Sequence, residues 1–396
     1  MYRVFFYCYT MNRNLRVLLS IKLFSLYSEE HVMKKFYFLL FALFILAQAA
    51  YAQGSSETWL RCYNADSTLV GFKSKSGKLM VDTNYLPAMT IADEFDKIIA
   101  AVEEKDDRWV TYYLTKQGRV VGRDSLYFFD NTPDCENEGF IRFKDNSTEK
   151  IGVFNANGDI SVPAEYNGLS KVRNGLIVGL KGANKVYFKD AEGNTIDEHY
   201  RWENGKEVLI DTLNNLIIEN FPYNDKLNYY SVEIADKPSA DSIRESFKGV
   251  NGKFYSFINY EKEAEQVIRR YLKDAVTPEG LEELCFKEVT YWDKDAGWLP
   301  LPKKEFVKRF YLPIKDNLEK LNRKSSSFFF SLDGLNPFIF ETALYAKYFD
   351  NCGFSNDWKY PTVNLVLDNS EGSVRPQTHM HFLRTDEGFK LIMVSF

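Results

Sequence analysis

Two histidines two residues apart, His379 and His381, are the pairing in this chain with the plainest chemical use. On a strand they would point the same way, able to share a metal with a carboxylate or to act as acid and base in a pocket. No third ligand stands at a characteristic spacing and no two cysteines lie close together, so neither a metal nor another cofactor is expected. Gly-x-Ser-x-Gly, His-Glu-x-x-His and Cys-x-x-Cys are absent, which removes the strong signatures of a nucleophilic or metal-dependent enzyme. Gly175, Gly179 and Gly182 do not have the spacing of a phosphate loop and read as turns and bulges. The six tryptophans invite a glycan-binding reading, in which flat rings stack on sugars, but core packing is their commoner employment; Trp292 and Trp298 flank an Asp-Lys-Asp-Ala-Gly loop and are the pair expected to be exposed or at a pocket.

Export is expected from Met33 onward. Lys34 and Lys35 precede an uncharged apolar run, Phe36 to Ala47, too short for a comfortable membrane span, and Ala50-Tyr51-Ala52 offers small residues at a cleavage point. Residues 1–32 are then an over-called extension, residues 33–52 a signal peptide, and the mature chain is periplasmic or extracellular with no membrane span. Removing residues 1–52 from the 50 basic and 55 acidic residues leaves 44 and 53. A clearly acidic chain without a basic block argues against nucleic acid as partner. Cys62 and Cys135 fall in the first half of the mature chain, Cys285 and Cys352 in the second, so any disulfides are expected within each half.

The elements that would position such residues are legible as a repeat. LVGFKSKSG (69–77), VTYYLTKQG (110–118), KIGVFNANG (150–158) and KVYFKDAEG (185–193) align without gaps and end on Gly77, Gly118, Gly158 and Gly193. In each, apolar residues lead into a polar tract and a glycine, the pattern of a strand entering a tight turn. A tyrosine follows each glycine, at Tyr85, Tyr127, Tyr166 and Tyr200, then another apolar run at Ile98 to Val102, Phe140 to Phe143, Leu176 to Leu180 or Leu216 to Ile218. Stacked β-hairpin modules, propeller-like or solenoid-like, are expected over 53–234. Over roughly 60–220 these units resemble the WG-repeat family. The third carries the likeness best, with Ile151-Gly152-Val153-Phe154, Gly158 and Val162-Pro163-Ala164-Glu165-Tyr166, although no unit has the name-giving tryptophan. The resemblance implies binding or scaffolding, toward a protein or an envelope glycan, and no catalysis.

Residues 235–254 are polar and read as a linker, and residues 255–396 as an α+β domain. Ala264, Val267, Ile268, Tyr271, Leu272 and Ala275 form one helical face capped by Asn259. Thr277-Pro278 starts a second helix, with Leu281, Leu284 and Cys285 facing inward. A third is expected over Lys303 to Arg323 with a break or kink at Pro313. Strands are expected at Phe328 to Leu332, Phe338 to Tyr348, Thr362 to Leu367, Thr378 to Arg384 and Phe389 to Phe396. Helices over an antiparallel sheet resemble the layout of the nuclear-transport-factor-like superfamily, which implies a pocket that would bind or hydrolyse a small molecule.

Overall fold

The computed structural model describes residues 57–273, 276–321, 328–368 and 377–396; the expected extension and signal lie outside the described residues. Thr58–Phe396 form one compact unit. With 50% strand against 13% helix the chain is mainly β, and it contains a curled antiparallel half-barrel sheet. Among the described residues no helix is long and apolar enough to cross a membrane.

The four aligned glycines occupy one kind of turn. Their φ values are +87°, +84°, +77° and +87° for Gly77, Gly118, Gly158 and Gly193. Their N–H groups donate to the carbonyls of Ser74, Thr115, Asn155 and Asp190 at 2.9, 2.9, 2.9 and 3.1 Å. The polar side chain opening each turn accepts from the residue after the glycine, as when Asp159 N–H donates to Asn155 Oδ1 at 3.1 Å. This is a type I turn closed by a left-handed residue, a common short hairpin loop. It recurs at Asp211–Asn215, where Asn214 takes the glycine's place at φ +64°, and at Asp350–Phe354 with Gly353 at +76°.

The hairpins before and after Gly77 and Gly158 share a register. Val70 pairs with Tyr85 and Phe72 with Val81; Ile151 pairs with Tyr166 and Val153 with Val162, the same pairs 81 positions later, with bulges at the same places. Gly71 and Gly152 sit between these pairs, where a Cβ would meet the carbonyl oxygens of Val81 and Val162 at 2.5 and 2.7 Å. In the unit ending at Gly193 the residue opposite Val186 is Arg201, so Tyr200 is one position out of step with Tyr85 and Tyr166.

These strands gather into a seven-stranded sheet reaching from Trp59 to Val121, a three-stranded sheet from Phe140 to Tyr166 and a four-stranded sheet from Gly168 to Glu219. The stretch expected as a linker instead carries the strand Arg244–Lys248, paired along its length with Phe254–Asn259. Gly249 and Gly252 serve its hairpin turn, Ser246 lies in the strand opposite Ser256, and Phe221, Phe257 and Trp358 pack in one apolar cluster around it.

Helix α1 spans Tyr260–Lys273, α2 Pro278–Leu284 and α3 Lys303–Lys320. Asn259 Oδ1 accepts from Lys262 N–H at 3.2 Å and Thr277 Oγ1 from Gly280 N–H at 3.1 Å, so both expected caps are in place. Helix α3 continues through Pro313 rather than breaking, and Asn317 Nδ2 donates to the Pro313 carbonyl at 2.9 Å. Cys285 lies past the end of α2 and opens a strand. The last sheet runs in the order Gly297–Pro302, Cys285–Asp293, Gly388–Ser395, Gln377–Thr385, Thr362–Asp368, Phe328–Asp333, with one parallel pairing, between Cys285–Asp293 and Gly388–Ser395. Phe338 to Tyr348 is not a strand: it forms turns and a short 3₁₀ helix, Ala346–Tyr348, that press Phe340, Tyr345 and Tyr348 onto Leu383 and Ile392. A short apolar run is read equally well as a strand or as a capping loop, and Pro337 at its start favours the loop.

Candidate functional site

Arg173-Asn174-Gly175-Leu176 is a two-residue hairpin turn, with Asn174 at φ +53° and Gly175 at +69°, the Asn-Gly sequence such a turn favours. Glu138 clamps it: its carboxylate accepts from the N–H groups of Asn174 and Gly175 at 2.7 and 2.9 Å and from the Tyr230 hydroxyl at 2.8 Å. The turn therefore delivers Arg173 to a fixed place. Its side chain is 4% exposed, lies against Trp358 and Tyr229, and its Nε and Nη1 have no hydrogen-bond partner. Burial pulls its pKa down to about 10, so the guanidinium stays charged at neutral pH.

Arg173 lines a cavity of about 570 Å³, a size that suits a small ligand. Arg142 lines the same cavity but is fully engaged. Its Nε and Nη2 donate to the two oxygens of Asp134 at 3.0 and 2.6 Å, and its Nη1 to the Leu169 carbonyl at 2.8 Å. Burial works to raise the Asp134 pKa, but Arg142 overcomes it and holds the carboxyl below its ordinary range. Lys171, also in the wall, pairs with Asp350 at 3.2 Å. The remaining lining is rich in rings: Tyr127, Trp358 and, more exposed, Phe129 (72%), Tyr223 (50%) and Phe354 (47%).

Phe354 and Trp358 come from the far end of the chain. Their loop is anchored among the early strands by a disulfide between Cys135 and Cys352, by Asn351 accepting from Asp93 and Glu94 N–H at 2.8 and 3.0 Å, and by Asp350. The pairing within each half expected from sequence is thus corrected. Cys135 bonds to Cys352 at a separation of 217 residues, while Cys62 and Cys285 are free thiols. Cys285 is inert, since burial pushes its pKa up to about 12. Cys135, Asp350 and Cys352 converge within 4.8 Å, but the two sulfurs are spent in the disulfide and cannot also serve as thiolate ligands.

The histidines are elsewhere. His379 and His381 do share a face of the Gln377–Thr385 strand, with stacked rings 6.3 Å apart. They alternate with Met380 and Phe382, which belong to the helix-packed core, so they point to the face away from the helices. Asn364 Nδ2 contacts His379 Nδ1 at 3.2 Å. Burial, then the neighbouring His379, pull the His381 pKa down to about 4, with Asp333 opposing. Neither histidine lines either of the two large cavities. Trp292 and Trp298 pair directly across their hairpin, edge to face at 5.0 Å, with Trp292 half exposed and Trp298 packed beside Leu383 and Met393. The interior between helices and sheet, where a pocket was the alternative expectation, is filled by Phe306, Ile314, Leu318, Met380 and Phe382.

Sequence reasoning missed Arg173 altogether. An arginine ahead of Asn-Gly reads as an ordinary exposed turn residue, and the ring that covers it comes from a loop 185 residues away. Compared with family models and with curated proteins, the chain has no match.

Proposed function

We propose that the chain is an exported, non-catalytic binding module of the bacterial envelope or its exterior, and that it holds its ligand in the cavity around Arg173. The observation that carries this reading is the cavity itself, about 570 Å³ and lined by the rings of Tyr127, Phe129, Tyr223, Phe354 and Trp358 together with Arg142, Lys171 and Arg173. The shared register of the hairpins at Gly77 and Gly158, and the common turn at Gly118 and Gly193, support a WG-repeat-like origin for the walls. The Cys135–Cys352 disulfide fits an oxidising compartment, in keeping with the export signal expected at 33–52. The alternative, a small-molecule or hydrolytic pocket in a nuclear-transport-factor-like domain, is disfavoured by the apolar filling beneath α1 to α3.

The test is a binding screen of the processed, oxidised chain against defined envelope glycans. Saturable retention, with the ligand recovered chemically unchanged and binding weakened by Phe129→Ala, is the expected outcome. Turnover of a ligand, or binding sensitive to His379→Ala/His381→Ala and indifferent to Phe129→Ala, would instead favour the alternative.

A further inference from the structure

The last sheet ends in two strands of different kinds. Gly297–Pro302 forms one edge and Phe328–Asp333 the other, and among the described residues only Thr362–Asp368 pairs with the latter. The first edge is blunted: Pro300 and Pro302 lack the N–H groups that an added strand would need. The second has no such guard. Phe328-Phe329-Phe330-Ser331-Leu332 carries no proline, glycine or charge, and Phe329 is half exposed. An open, uncharged edge is a template for a further strand.

The two faces of this edge define the strand that fits it. Phe328, Phe330 and Leu332 pack against the core beneath the helices yet stay partly exposed, so the helices do not close over the edge. Phe329 and Ser331 lie on the opposite face. A second copy of the strand, antiparallel about a two-fold axis through Phe330 and normal to the sheet, keeps each side chain on its own face. Phe328 then opposes Leu332, Phe330 opposes its own counterpart, and Phe329 opposes Ser331. Every helix-side pair is apolar, no like charges meet, and the two apolar layers become continuous. Sliding the axis to Ser331 would instead set Asp333 against Phe329. A strand from an unrelated chain would have to reproduce this pattern, whereas a second copy has it by symmetry.

We propose that the chain associates as a two-fold dimer through Phe328–Asp333, joining two six-stranded sheets into one. The dimer is independent of the binding reading, since this edge contributes no residue to the cavity around Arg173.

Sedimentation equilibrium of the processed, oxidised chain tests it. The expected result is a concentration-dependent rise from the monomer mass to twice that mass and no further. Phe329→Lys/Ser331→Lys sets like charges directly opposite one another on the outer face and should weaken the dimer at least tenfold. Phe329→Lys/Ser331→Glu sets opposite charges there and should restore it. Register is read by oxidative cross-linking in a Cys62→Ser background, which removes the half-buried free thiol. Phe330→Cys brings two thiols to the axis and should cross-link, whereas Ser331→Cys would lie about 7–8 Å from its counterpart and should not. If Phe330→Cys fails to fold, the two charge variants decide. A chain that stays monomeric over a hundredfold range of concentration, or a dimer indifferent to the lysine pair, would overturn the proposal, as would growth past twice the monomer mass. Loss of the dimer in both charge variants, with cross-linking through Ser331→Cys alone, would overturn the pairing about Phe330.

Discussion

Asp134 carries a buried charge paired with Arg142, and that pairing sets what its substitution should do. Asp134→Ala strands the buried Arg142 charge, so a loss of about 3–5 kcal/mol is expected in denaturant unfolding. A loss under 1 kcal/mol would mean that Arg142 finds other partners. Buried Glu136 and half-buried His381 also impose opposite pH trends. His381 has a pKa lowered from 6.5 to about 4, so the unfolded chain binds more protons in that window and stability falls as pH drops through it. Glu136, raised from 4.5 to about 7 by burial, works the other way: stability falls as pH rises from 4.5 to 7. Each full shift corresponds to about 3 kcal/mol. His381→Gln should therefore flatten the acid side of the stability profile, and Glu136→Gln should stabilise the chain at pH 8 relative to the parent; unchanged profiles in both variants would contradict this. The histidine pair was legible because strand spacing puts alternate residues on one face. That the face is the one turned away from the helices was not, since periodicity gives parity but not which side is covered.

Hairpin units were the most legible elements because a glycine at positive φ leaves a local signature that needs no tertiary knowledge. Gly71 and Gly152 add a second constraint, the approach of an opposing carbonyl. Gly152→Ala and Gly71→Ala should each cost about 1–3 kcal/mol through forced strand displacement. Gly168→Ala, where the nearest atom would be 4.0 Å away, should stay within about 0.5 kcal/mol. Equal effects at all three positions, measured by chemical unfolding, would remove the case that the two hairpins are equivalent. The turn at Asn214 escaped the glycine pattern because asparagine also tolerates the left-handed region. The strand at Arg244–Lys248 escaped because turn-forming residues on both sides disguise a hairpin as a linker.

Across Thr58–Phe396 the Asp350–Trp358 loop is what binds the late part of the chain into the early strands. Its disulfide closes a very long loop, and removing it by Cys135→Ser/Cys352→Ser should destabilise the chain by about 2–5 kcal/mol. Reductant should do the same to the parent and nothing to the variant. Pairing at this range was beyond the sequence, where four cysteines allow three connectivities and nothing local selects one. The same long-range contact builds the cavity: Trp358 covers Arg173, and Phe354 joins Phe129 and Tyr223 in its lining. Whether this assembled cavity is where the ligand sits is best read from hydrogen exchange on the full chain with and without a retained glycan. Protection should appear together at Tyr127–Arg142, Gly168–Leu180 and Phe354–Trp358. Protection confined to Trp292–Trp298 and His379–His381, with those three segments unchanged, would contradict it.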